Sequence, residues 1–355
     1  MIAVILDSNT LYGDPFFLGP TLKRMLQYAA TDEIDILLSS VVKQETINNN
    51  QIKLLDYIDQ VNRLSRKVEK GLGTQSIVKN DIDIDRNKRD LEKRFEELEA
   101  QEKIVPIELS NDLLPELVRR AVYKIMPFSQ NREEFRDCLI WLSCVEYLKS
   151  KKYANTFLIT ANRKDYCAAN GSIHSDLEQD YKGVVIYENI NRMLEQEHEL
   201  FASLIPKDAS EDLLEWLSEN KVAEFDVFDS LTYHFRDNIQ ERFLTEISNI
   251  DASEVLSYPS TGHVHFKGAN ACDDIQLVNY RTDIDIESVI VSGDFLIDVY
   301  VDVYEYNANH HSPKDKYLFV NEERLKVTLG FIYSISPKEV FPFDFEITDV
   351  KIVFD

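Results

Sequence analysis

Ile2-Ala3-Val4-Ile5-Leu6-Asp7-Ser8-Asn9-Thr10 is the stretch on which the reading of the fold turns. Five consecutive apolar residues end on an acid. An uninterrupted run of this length, without polar alternation, reads as a strand buried on both faces, as strands of a parallel sheet are. Working outward, Pro20 opens a helical stretch through Leu22, Met25, Leu26 and Ala29. Residues 34–38 form a second apolar run, and Ser40 is suited to cap a helix beginning at Val41. Helical spacing returns over 111–125, 133–149 and 188–200, with apolar runs at 156–160 and 184–186. Strands separated by helices predict an α/β/α sandwich around a parallel sheet over residues 1–205.

Two segments depart from that alternation. Between about 48 and 103 lies a charged region with helical spacing through Leu54, Tyr57, Ile58, Val61 and Leu64, then Leu91, Phe95 and Leu98. It reads as an inserted helical hairpin broken at Gly71 and Gly73. Arg63, Arg66, Lys67 and Lys70 form a basic cluster on it, either a solvated helix face or a nucleic-acid contact. From about 206 onward the texture changes: 213–217 and 230–250 look helical. A period of two then sets in through Val289, Val291, Phe295, Ile297, Val299, Val301 and Val303, repeated over 325–335 and 345–354. Half-buried antiparallel strands have this pattern, so a separate β-rich domain is expected over 206–355.

The chain carries a net charge of −24 over 355 residues. Residues 1–205 hold 27 Lys and Arg against 33 Asp and Glu, a net of −6, whereas 206–355 hold 12 against 30, a net of −18. The acidity therefore belongs to the second domain. Four cysteines without a CxxC pair suggest neither a disulfide framework nor a zinc knuckle. The apolar run before Asp7 is too short for a signal peptide, no stretch approaches a membrane span, and a cytoplasmic location is expected. No glycine-rich turn follows the first strand, which excludes dinucleotide binding of the Rossmann type. His263 and His265 share a strand face and His310-His311 lies in a turn; all four read as surface histidines.

The informative acids are four. Asp7 closes the first strand, at the carboxyl edge where open parallel sheets bind ligands. Glu45 sits one turn into the next helix, stacked over Val41. Asp137 lies four residues before Trp141, on the apolar stripe that continues through Cys144, Val145 and Leu148, a position acids occupy only with a partner. Asp165 follows the strand ending at Thr160 by five residues. Taken singly, each has an ordinary reading as a cap, a turn residue or a salt-bridge partner. Together they form an oxygen-only ligand set suited to Mg²⁺ or Mn²⁺, with no soft Cys/His set for zinc.

Asp7-Ser8-Asn9 after the first strand, Glu45 on the next helix, Asp137 within a helix, and Thr160-x-Asn162-x-x-Asp165-Tyr166 resemble the PIN domain. The similarity is greatest to the PIN toxins of bacterial toxin–antitoxin pairs and to a PIN-like family with larger insertions, and it covers roughly residues 1–200. It implies a metal-dependent nuclease, with Asp7, Glu45, Asp137 and Asp165 catalytic and metal-binding, and Asn9, Thr160 and Asn162 orienting the ligands and bound water. It implies an endoribonuclease of toxin or antiviral-defence type, RNA being favoured over DNA as substrate. A DNA endonuclease and a non-catalytic PIN scaffold acting through partner binding are the alternatives. The helical insertion and Arg136, beside the third acid, depart from the family pattern. An aspartyl-phosphate enzyme of the haloacid dehalogenase type calls for a second Asp where this chain has Asn9. The C-terminal half resembles no family; its acidity suits a regulatory protein or oligomer partner.

Overall fold

In the computed structural model, residues 1–72, 82–128, 134–168, 170–247, 252–256, 261–266, 275–309 and 316–353 are described. The chain divides into two compact units, Met1–Leu204 and Ile205–Asp355. In the first, strands β1 (Ile2–Leu6), β2 (Ile34–Ser39), β3 (Val105–Ile107), β4 (Asn155–Ile159) and β5 (Val184–Tyr187) form one sheet in the order β3-β2-β1-β4-β5. Every pairing is parallel. The helices of this unit are α1 (Pro20–Ala29), α2 (Ser40–Leu72), α3 (Ile84–Ala100), α4 (Leu114–Tyr123), α5 (Phe135–Ser150), α6 (Ser175–Asp180), α7 (Ile190–Gln196) and α8 (His198–Ala202).

All five residues of β1 are buried, because the strand is central and covered on both faces. Ala3 and Ile5 join Leu37, Leu158, Val184 and Ile186 against α5, whose Cys138, Trp141, Cys144, Val145 and Leu148 fill that layer. Alternation sends Val4, Ile36 and Phe157 to the other face. There Phe157 lies 6.4 Å from Phe201 of α8, which meets Tyr28 of α1 edge-on at 5.2 Å.

The chain order of elements follows the expected one, with local differences. Helix α2 starts at Ser40, one residue early, and Ser39 rather than Ser40 accepts from the Val41 N–H (3.3 Å). It then runs unbroken for 33 residues. No Pro or Gly interrupts 40–70, so the first arm of the inserted hairpin is simply the Glu45 helix prolonged. The second arm, α3, is tied back by Lys43–Glu99 (2.7 Å) and Asn50–Asn87 (2.6 Å), and its Leu91, Phe95 and Leu98 are fully buried. Gly73 lies outside the described residues. The short strand β3, with Pro106 at its centre, has no periodicity to betray it. Residues 188–200 form two short helices, α7 and α8, instead of one.

In the second unit, α9 (Lys207–Glu219), α10 (Glu224–Asp229), α11 (Arg236–Ile247) and α12 (Ala252–Val255) accompany an antiparallel sheet. Its strands are β6 (Gly262–Phe266), β7 (Gln276–Ile284), β8 (Val289–Tyr306), β9 (Tyr317–Ile335) and β10 (Phe343–Val353). The order is β10-β9-β8-β6, with β7 also on β8. The odd-numbered apolar residues of β8 from Val291 to Val303, except Gly293, pack with Val227, Leu231, Phe235 and Ile239. The expected helix over 230–250 is interrupted: residues 230–234 form a wide turn before α11. There Ser230 Oγ and Thr232 Oγ1 donate back to the Asp226 and Phe228 carbonyls (both 2.8 Å), a bond that competes with regular helix. His263 stacks on Tyr304 at 5.2 Å; His310-His311 lie outside the described residues. Among the described residues no helix is long and apolar enough to cross a membrane.

Candidate active site

β1 is flanked by β2 on one side and β4 on the other, so chain direction across the sheet switches at its carboxyl end. Crevices form at such points in parallel sheets, and Asp7 stands there. Its N–H continues the ladder by donating to the Ile159 carbonyl (3.1 Å). Its side chain is fixed from four directions. Oδ1 accepts from the Ser8 N–H (2.7 Å) and Ser8 Oγ (3.5 Å), Oδ2 from Asn9 Nδ2 (2.7 Å) and Thr160 Oγ1 (2.7 Å). The turn-capping role that any Asp after a strand can have is thus present, but the bonds from Asn9 and Thr160 exceed it.

Thr160 and Asn9 also hold each other. Asn9 Nδ2 donates to Thr160 Oγ1 at 3.3 Å, and Asn9 Oδ1 accepts from the Ala161 N–H at 3.1 Å. Because β4 stops at Ile159, Thr160 lies just beyond the strand, free to turn its hydroxyl toward Asp7. Asn162 enters through its backbone N–H, which donates to Thr160 Oγ1 (3.0 Å).

The other three acids come from different elements. Glu45 is on α2, largely buried; Asp137 is in the first turn of α5 and 9% exposed; Asp165 is buried in the short turn after β4. Their charges reach one another in pairs: Glu45 acts on Asp7, and Asp7 and Asp165 act on Asp137. Burial raises the Asp7 carboxyl, the bonds from Thr160 and Ser8 pull it partly back, and the Glu45 charge raises it further. Burial first, then the charge of Asp7 and a bond to Glu134, then the charge of Asp165, push Asp137 from 3.8 to about 7. Tyr166, fully buried below them, is raised well above its ordinary value by burial and by Asp7, Asp137 and Asp165; its hydroxyl lies 3.5 Å from Asp137 Oδ1. Two buried carboxyls are therefore held against like charge.

The basic cluster lies elsewhere. Arg63, Arg66 and Lys70 are exposed on the distal half of α2, and the Lys67 side chain falls outside the described residues. At about 1.5 Å per residue, the cluster begins about 27 Å along the helix from Glu45. Three contacts were not read from the sequence: Ser8 on Asp7, the Tyr166 hydroxyl beneath Asp137, and Arg136, which donates from Nη1 to Glu45 Oε1 across 91 positions. The spacing of Ser8 and Tyr166 beside two acids is a signal; nothing local points Arg136 at α2.

A family model described as PIN domain matches residues 4–166. The first unit carries a PIN domain. The match begins within β1 and ends just past Asp165, so it contains all four acids, together with the α2–α3 hairpin. PIN domains are in general nucleases that use divalent metals, which agrees with a site built from carboxylates. Comparison with curated proteins and with solved structures gave no match.

The donor chemistry fits a hard divalent cation, since every candidate ligand is a carboxylate and two of them are desolvated against like charge. In the arrangement seen, no three acidic, His or Cys side chains among the described residues stand as a closed coordination set. Glu45 is turned to Arg136, and both Asp7 oxygens face protein donors.

Proposed function

We propose that this PIN domain is a metal-dependent endoribonuclease of toxin or defence type, with Asp7, Glu45, Asp137 and Asp165 as the acids that hold Mg²⁺ or Mn²⁺. One observation carries this reading above the others: Asp137, 9% exposed on the apolar stripe of α5, has its carboxyl raised by burial and then by the charges of Asp7 and Asp165, with no salt bridge to a cation among the described residues. Uncompensated buried charge is costly, and a fold keeps it only where something else neutralises it. A bound divalent ion would polarise the phosphate, stabilise the leaving oxygen and lower the pKa of the attacking water.

The chain's own residues prepare the site. Asn9 and Thr160 fix the rotamer of Asp7 by bonding Oδ2. The Asn162 N–H fixes Thr160 in turn, so disturbance of this small network reaches Asp7. Tyr166 closes the apolar floor under Asp137 and keeps water from the inner side. The exposed Arg63, Arg66 and Lys70, with Lys67 beside them in sequence, would serve substrate some distance from the scissile bond. The second domain, holding a net −18 over residues 206–355, cannot attract a polyanion and serves better as a docking or regulatory module for a basic partner protein.

The test is incubation of the full chain with end-labelled single-stranded RNA and with DNA of the same sequence, in Mg²⁺, Mn²⁺ or EDTA. Internal cleavage of RNA that needs either ion supports the reading. Preference for DNA moves the substrate class, and absence of cleavage on both with every ion removes the enzymatic reading.

A further inference from the structure

Arg136 is the one feature of the site that the family pattern does not account for. It is in the first turn of α5, beside Asp137, yet its guanidinium ignores that neighbour and reaches α2, where Nη1 donates to Glu45 Oε1. The two ends of this pair are unlike: the Arg136 side chain is 70% exposed, the Glu45 side chain 13%. Glu45 is held in the fold, whereas Arg136 lies over it from the solvent side. The pair leaves its cation largely in water. It is therefore screened from that side, and the guanidinium can leave without breaking buried contacts of its own.

We propose that Arg136 has two positions: on Glu45 while no divalent ion is bound, and on a substrate phosphate once an ion has taken Glu45. This rests on the metal-dependent nuclease reading above. A guanidinium and a divalent cation compete for the same carboxylate, and the ion, with further acids to bind, displaces the weaker partner. The released guanidinium is then an exposed planar donor at the rim of the acid site, the geometry that takes phosphate oxygens in pairs. The metal-free site is thereby plugged by its own chain, and charge on the rim turns positive only when the ion that cleavage needs is in place.

Full-length wild type, Arg136→Gln and Arg136→Lys separate these roles, with circular dichroism to check folding. The first readout is Mn²⁺ binding to metal-free protein without RNA, by calorimetry. Arg136→Gln is expected to bind Mn²⁺ about two- to fivefold more tightly, the range that displacing an exposed ion pair implies. The second is steady-state cleavage of a single-stranded RNA oligonucleotide over a range of salt. Arg136→Gln is expected to raise KM about tenfold with kcat within about twofold, and to make the log KM salt slope shallower by about 0.7, the loss of one phosphate contact. Arg136→Lys is expected to recover most of KM, because it keeps the charge. If Arg136→Gln binds Mn²⁺ more weakly than wild type, Arg136 orients Glu45 for the ion and the plug is wrong. Unchanged KM and salt slope overturn the phosphate role. Wild type that binds no Mn²⁺ overturns the inference together with the reading beneath it, whereas wild type that binds and cleaves normally, with Arg136→Gln identical in both readouts, overturns the inference alone.

Discussion

Replacing Asp137 by Asn should make the metal-free protein more stable, and increasingly so as pH rises. The carboxyl is 9% exposed and is pushed from 3.8 to about 7 by burial and by Asp7 and Asp165. The folded state therefore keeps the proton that the unfolded chain gives up near 3.8. Between those two values the unfolded chain binds fewer protons, so folding stability falls as pH rises through the window and levels off above about 7. A displacement of about three units corresponds to about 4 kcal/mol. That figure is a ceiling, because Asp7 shares the repulsion and rearrangement relieves part of it; about 1–4 kcal/mol is expected at pH 8. The Asn side chain has nearly the same shape and carries no charge, so it removes this penalty. For a unit of this size each kcal/mol moves the melting temperature by about 2–4 °C. Thermal melts of wild type and Asp137→Asn in EDTA, from pH 5 to 8, should show the variant melting about 2–16 °C higher at pH 8, with the gap closing toward pH 5. Added Mg²⁺ should raise wild type more than the variant. A variant that melts at or below wild type at pH 8, or a gap independent of pH, would refute the claim that Asp137 is held against like charge.

Asp7→Asn should lower cleavage by at least about 100-fold, and it should not gain the stability of Asp137→Asn, because the Asn amide cannot accept every bond that Asp7 receives from Ser8, Asn9 and Thr160; cleavage rates and melts of the two variants measured together check this. Thr160→Val and Asn9→Ala should each weaken metal binding or activity by about 10–100-fold while far-UV circular dichroism stays unchanged, since both act by fixing the Asp7 rotamer. Exhaustive EDTA dialysis should abolish cleavage, and Mg²⁺ or Mn²⁺ should restore it; full activity after such treatment counts against the metal mechanism. In the second unit, Gly293→Ala should cost about 1–3 kcal/mol by denaturant unfolding, because a Cβ there would lie 2.2 Å from the Asn279 carbonyl oxygen of the paired strand. A chain of residues 1–204 should fold and cleave RNA; if the acidic second domain restricts access, its removal speeds cleavage most at low salt.

Much of the first unit was legible because its strands are either central or end in chemistry. The run from Ile2 to Leu6 has no alternation to confuse, and Asp7 after it marks the edge. Asp137 could be found because an acid on the stripe of Trp141, Cys144 and Val145 breaks the pattern that burial imposes. What stayed hidden was short or non-local. Three-residue β3 carries a Pro and too few positions for a period. The unbroken length of α2 was masked by a change of composition near residue 48 that alters exposure without altering helix propensity. Arg136 pairing with Glu45 depends on how α5 lies against α2, which no sequence spacing encodes. In the second unit the alternation of β8 was plain, while β7, exposed or half-buried along its length, lacked a clean inner face to mark it.

The central claim is that the acid cluster of this PIN domain holds the ion on which phosphodiester cleavage depends, and Asp137 is its most telling member. The direct measurement is cleavage of internally labelled single-stranded RNA by purified full-length wild type and Asp137→Asn, side by side in Mn²⁺, with folding of both verified by melting. Wild type should cut at internal positions, and Asp137→Asn, folded and no less stable, should leave the RNA intact. Cleavage by Asp137→Asn at the wild-type rate would contradict the account.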